Sequence, residues 1–196
     1  TKLLANGIEV TALHNHLLRA NPATYYMHVH GHGDPVALAT AIRVALGESR
    51  TPFGPPAPPA PQASLVNLDT VALDNAIGVK GKVNGGVYQF SVPPKNEITE
   101  GGMPVPPAMG TATVINFQPT GGGKAAITGD FVIAADEVNP LIRALRENGI
   151  EVTAIHTHML NEQPRLVFVH FWANNDARKL AKGLQAALAK AASTRS

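Results

Sequence analysis

All eight histidines of this chain fall in two short stretches, and the two stretches match each other without a gap. The first reads GIEVTALHNHLLRANPATYYMHVHGHGDP from Gly7 to Pro35, the second GIEVTAIHTHMLNEQPRLVFVHFWANNDA from Gly149 to Ala177. At one constant offset His14 falls on His156, His16 on His158, His28 on His170, Pro22 on Pro164 and Asp34 on Asp176. An ungapped match this long is an internal repeat, so the sequence predicts a duplicated unit, with five histidines in copy one and three in copy two. The same alignment puts Thr1 on Arg143, inside the helix-like stretch that leads into the second copy. The chain is therefore expected to open in the last turns of a helix and to lack the front of unit one. That missing part should be supplied by another fragment of the protein or by another chain, because a bare sheet edge invites aggregation.

Periodicity assigns the elements. From Ile8 to Leu18 alternate residues read as a strand, and Tyr25 to His32 reads as a second strand after the turn Arg19-Ala20-Asn21-Pro22. The pair should form an antiparallel hairpin. Asp34 caps a following helix that has Pro35 at its first position and ends at Gly47. A proline-rich segment, TPFGPPAPPAPQ, predicts an extended linker over 51–67 between a truncated unit one (1–50) and a complete unit two (68–196). Unit two reads as a short helix, a hairpin turning at Asn84-Gly85, an irregular loop over 93–110, two strands around PTGGGK, a helix over 136–148, the histidine hairpin over 150–173 and a last helix. The fold class is α+β, with a largely antiparallel sheet and flanking helices in each copy.

Composition narrows the function classes. The net charge is +2, and no basic stripe with interleaved aromatics marks a nucleic-acid surface. No apolar run is long enough to span a bilayer. With no cysteine, disulfides, thiolate ligands and cysteine nucleophiles are excluded, which fits a periplasmic or exported location. The glycine run before Lys124 lacks the Gly-Lys-Ser/Thr ending of a phosphate loop, and there is no Gly-x-Ser-x-Gly elbow.

The histidines carry the chemistry. Residues two apart on a strand share a face, so His14 and His16 should point together, as should His28, His30 and His32. A register pairing His16 with His28 and His14 with His30 would gather all five into one patch. Copy two keeps His156, His158 and His170, the three-histidine set of zinc sites with an open position, while His30 and His32 become Trp172 and Asn174. Imidazole also suits copper. Copy one is expected to hold the better site. Glu9 and Glu151 have the opposite parity and should face away. Asp34 and Asp176 read as helix caps, and Tyr25, Tyr26, Phe168 and Trp172 as core residues.

Three functions remain open on the residues alone. One is a protein binding zinc or copper. Another is a metal-dependent hydrolase or lyase, although no acid/base carboxylate is visible on the histidine face. The third is a non-enzymatic module for a small ligand or partner, with the histidines as polar framework. The segments GVKGKVNGGVYQFSVP, GGKAAITGDFVIAADEVNPLIRALRENGIEVTAIHTHML and MHVHGHGDPVALATAIR resemble the bacterial LppY/LpqO lipoprotein family over nearly the whole chain. The resemblance implies two copies of this unit, an exported location in the cell envelope and a possible lipid anchor ahead of residue 1. It implies no reaction.

Overall fold

The computed structural model describes residues 1–50, 52–55 and 66–191. Most of the expected linker (51 and 56–65) and the end of the basic tail lie outside the described residues. The chain is a mixed α+β protein built on a mostly antiparallel sheet. A short helix α1 (Lys2–Ala5) leads into β1 (Glu9–His14), β2 (Tyr26–His30) and α2 (Pro35–Leu46). Then come α3 (Thr70–Ile77), β3 (Lys82–Asn84), β4 (Val87–Val92), β5 (Thr99–Glu100), β6 (Met103–Pro104), β7 (Thr113–Gly121) and β8 (Lys124–Ile133). The chain closes with α4 (Val138–Glu147), β9 (Glu151–His156), β10 (Val167–Asp176) and α5 (Ala177–Leu188).

Six strands form one sheet in the order β3-β4-β7-β8-β10-β9, every neighbour antiparallel. Alternation sorts its side chains. Phe131 lies opposite Val169, Gly129 opposite Phe171 and Ile127 opposite Ala173. This row joins Phe90, Ile115 and Phe117 against Leu73 of α3, Leu141 and Leu145 of α4, and Leu180 and Leu184 of α5 in one buried core. Each large apolar side chain buried there contributes about 1.5–3 kcal/mol. The intervening row, Asp130 opposite His170 and Val132 opposite Phe168, points to the other face. There Val132 and Phe168 meet Ile98 and Leu166 in a smaller cluster.

The helix starts follow the sequence. Asp69, Asp34 and Asp176 each accept a hydrogen bond from the backbone N–H three residues on, at 3.0, 2.8 and 2.8 Å, which satisfies an otherwise orphan donor. Asp69 also pairs with Arg178 at 2.5 Å, tying α3 to α5. The first hairpin is a separate two-stranded sheet beside α1 and α2. Ile8 is buried beneath it, while Leu13, Met27 and Val36 remain exposed.

Both histidine segments are antiparallel hairpins, as expected, but the register differs. His14 pairs with Tyr26, Ala12 with His28 and Glu9 with His30. His16 lies beyond the end of β1. The pairing shifts between Val10 and Ala12, so Thr11 stands outside the ladder as a bulge. The second hairpin has the matching shift around Thr153, with Phe171 on Val152 and His170 on Ala154. A one-residue bulge inverts the parity of the strand before it. Glu9 therefore joins the histidine row, where the expectation had put it on the opposite face, and its Oε2 lies 3.2 Å from His30 Nδ1. Glu151, aligned with Glu9, pairs with Trp172 in the same way. Residues 93–110, expected to be irregular, contain the β5–β6 hairpin, because Thr99 bridges to Gln163 in the turn of the second histidine hairpin.

Gly129 tests this packing. A Cβ at this position would lie 1.9 Å from the Val114 carbonyl oxygen, so β7 and β8 approach as closely as they do only over a glycine. Gly129→Ala is expected to cost about 3 kcal/mol, read as a lower thermal midpoint, in line with overpacking of a tight interior. An unchanged midpoint would contradict the strand spacing.

Candidate metal centre

The two hairpins meet face to face through their imidazoles. His14 stacks on His156 with ring centroids 3.5 Å apart, His16 on His170 at 3.9 Å and His28 on His158 at 3.7 Å. Within the first hairpin His14 lies 4.8 Å from His16 and 5.0 Å from His28; within the second His156 lies 4.9 Å from His158 and 4.8 Å from His170. Aromatic rings close the two flanks, Tyr26 on His16 at 3.8 Å and Phe168 on His158 at 3.5 Å. Each distance thus has a counterpart at the aligned positions of the other segment.

Two patches of five and three histidines were expected. The structure has one shared cluster of six. His30 is drawn to Glu9 instead, and His32 lines a neighbouring cleft. The cause is the register, which pairs His14 with Tyr26 rather than His30 and carries His30 along the strand to Glu9, and the second hairpin, which presents its own three rings where the five-histidine patch would have been completed.

Burial defines what these rings can do. His158 and His170 are 9% and 4% exposed, and the Nε2 atoms of His14, His16, His28, His156, His158 and His170 are all buried without a protein hydrogen-bond partner. Three of the opposite nitrogens are engaged. His14 Nδ1 lies 3.4 Å from the Asn15 carbonyl, His156 Nδ1 3.3 Å from that of Thr157 and His170 Nδ1 3.1 Å from that of Gly129. A carbonyl only accepts, so each Nδ1 donates its proton. That tautomer leaves Nε2 with a free lone pair aimed into the cluster, the arrangement in which outer hydrogen bonds orient metal-binding imidazoles. One ring nitrogen from each histidine falls into overlapping groups whose members lie within 4.8 Å of one another: His14, His16, His156 and His170 in one, His14, His28 and His158 in another. Closing the first group to the tetrahedral bonds of about 2.0 Å that zinc takes needs each nitrogen to move inward by at most about 1 Å.

Electrostatics keep the rings uncharged. Burial, reinforced by neighbouring imidazoles, pushes His158 down to about 2, His170 to about 3, and His16 and His156 to about 4. Burial lowers His14 and His28 as well. Neutral imidazole is the form that binds a metal.

Two carboxylates that the sequence reading missed flank the cluster. Asp130, across the ladder from His170, brings a carboxylate oxygen within 4.8 Å of the His158 and His170 ligand atoms. Burial raises it to about 7. It shares a cleft of about 380 Å³ with His16, Tyr26, Asn116 and Thr128. A lone acid in the apolar strand Ile127–Ile133 was its signal in the sequence. Glu100, 5% exposed, lines a second cleft of about 340 Å³ with His28, His158, Met103, Met109 and Met159, and its Oε2 is buried without a partner. Its place in a glycine-rich turn gave no signal. Arg19 was likewise overlooked. It pairs with Glu151 and lies over Trp172, 6.0 Å from the ring centroid, pinning the turn of the first hairpin to the second. Of the aromatics expected in the core, Phe168 is buried, but Tyr25 and Tyr26 are 72% and 44% exposed, and Tyr26 covers His16.

The lowered histidines set the acid response of the metal-free chain. In the unfolded chain imidazoles take up protons below about pH 6.5. In the folded cluster His16, His156, His158 and His170 resist until about pH 4 or below and His14 and His28 are lowered too, so the unfolded state binds more protons and acid favours it. Asp130 works in the opposite sense, since protonation below about 7 relieves its burial, but it is one group against the histidines of the whole cluster. The thermal midpoint of metal-free protein is expected to fall between pH 7 and pH 5, by the equivalent of a few kcal/mol. A flat or rising midpoint would contradict the burial of the rings.

A family model described as Domain of Unknown Function (DUF1259) matches residues 1–48 and 71–190. No curated protein and no solved structure matches the chain. The chain belongs to that domain family.

Proposed function

We propose that this member of the DUF1259 family binds a transition metal, zinc or copper, between its two histidine hairpins. The observation that carries the reading is the convergence of six buried Nε2 atoms with no protein partner. A buried polar atom left unsatisfied costs about 1–3 kcal/mol. Six of them amount to roughly the whole stability of an ordinary domain, about 5–15 kcal/mol. Histidines kept as mere framework would have both ring nitrogens partnered, whereas here all six Nε2 atoms have no protein partner; a metal ion satisfies their lone pairs directly. Donors made only of imidazole suit both zinc and copper.

The remaining parts of the reading rest on the sequence. The two hairpins are taken as copies of one unit, the first within 1–50 and the second within 68–196, which would explain why the distances in the cluster come in pairs. The resemblance to the LppY/LpqO lipoproteins and the lack of cysteine support an exported envelope protein. No helix among the described residues is long and apolar enough to cross a membrane. The exposed Leu13, Met27 and Val36 leave apolar side chains on the surface of the first hairpin and α2.

Asp130 favours a second reading, metal-dependent hydrolysis. A carboxylate beside an open coordination position can take the proton of a metal-bound water as its oxygen attacks a carbonyl or phosphoryl centre. On that reading Asp130→Asn keeps its metal and loses at least tenfold in turnover of activated carboxyl and phosphate esters. Wild-type protein inert toward both ester classes would remove the hydrolase reading and leave the binding site.

Metal binding itself is tested on protein purified without a histidine tag. Zinc or copper should co-purify or titrate with evolved heat. His14→Ala and His156→Ala should each weaken binding at least tenfold although they lie in different hairpins, and the double variant His30→Ala/His32→Ala should bind like wild type. No heat with either metal would overturn the proposal. A site confined to the first hairpin would appear as sensitivity to His14→Ala alone.

A further inference from the structure

One ion does not account for all six nitrogens. The largest group whose ligand atoms lie within 4.8 Å of one another holds four histidines, His14, His16, His156 and His170. His28 and His158 are outside it and form a second group with His14. A single tetrahedral ion in the first group would leave the Nε2 atoms of His28 and His158 buried and unpartnered, and a single octahedral ion would need all six in one group. The same atoms divide without remainder into two sets of three: His16, His156 and His170, and His14, His28 and His158. Each set draws on both hairpins, two rings from one and one from the other.

The surroundings support the same division. Two clefts flank the cluster and each holds one acid; His16 and His170 line only the first, His28 lines only the second, and His158 lines both. Asp130 stands beside His16 and His170 in the first, and Glu100, with a buried unpartnered Oε2, beside His28 and His158 in the second. Two divalent ions among neutral imidazoles bring four positive charges into a largely buried space. A carboxylate at each end offsets part of that charge where the coordination shell is open. The lining differs between the ends. Asn116 and Thr128 accompany Asp130, whereas Met103, Met109 and Met159 accompany Glu100, and thioethers favour a softer ion.

Building on the metal-binding reading, we propose that the chain holds two metal ions side by side, each on three histidines. One faces the Asp130 cleft and the other the methionine-lined Glu100 cleft. Cobalt(II) stands in for zinc in the test because its visible absorption reports each site as it fills. Titrated into wild-type metal-free chain, the absorption should break at two equivalents, and metal analysis after gel filtration should give two ions per chain. The double variants His16→Ala/His170→Ala and His28→Ala/His158→Ala should each keep one. A wild-type break at one equivalent would overturn the two-ion inference while leaving a single metal site. No uptake at all would overturn the metal reading beneath it. The wild-type titration decides the count even if neither variant folds.

Discussion

The contact on which the rest of the structure depends is the stacking of imidazoles between the two hairpins. His14 on His156 stands at its centre, with His16 on His170 and His28 on His158 to either side. Imidazole rings packed this closely out of water are stable only when uncharged, and their lone pairs need a partner. Burial settles the first condition by pushing the rings well below their ordinary range. A metal ion meets the second. It would also join the two hairpins, since both all-histidine groups close enough to share an ion include rings from both.

The two hairpins are held very differently. β10 lies inside the six-stranded sheet, flanked by β8 and β9 and backed by the main core, so His170 is placed by a rigid support. The first hairpin pairs with no strand of that sheet. Its ties to the second hairpin are the stacked rings and Arg19, which reaches Glu151 and Trp172. Much of the ordering cost of that hairpin therefore falls on the histidine cluster, and bound metal would stabilise the arrangement by mass action.

The parts of this arrangement that depend on short-range pattern could be read from the sequence. The aligned histidines, the two antiparallel hairpins and the caps at Asp34 and Asp176 all follow from spacing and local hydrogen bonding. The meeting of the hairpins could not be read, because alternation along one strand says nothing about what faces it. The bulges at Thr11 and Thr153 were also hidden. A bulge adds one residue without an obvious sequence mark, yet it turned Glu9 toward His30, while the register that pairs His14 with Tyr26 broke up the expected five-histidine patch. Asp130 was visible as an acid in an apolar strand, but its role depends on the cross-strand pairing with His170. Glu100 depends on the tether between Thr99 and Gln163, a contact between distant segments.

The central claim is that the Nε2 atoms of six named histidines, drawn from both hairpins, bind metal. Long-range proton–nitrogen NMR of the imidazole rings addresses it directly, because metal ligation moves the ligating nitrogen and leaves the Nδ1–H tautomer in place. On zinc addition the Nε2 resonances of His14, His16, His28, His156, His158 and His170 should shift together, while those of His30 and His32 stay where they were. Shifts confined to the histidines of one hairpin, or no Nε2 shifts at saturating zinc, would contradict a shared metal centre.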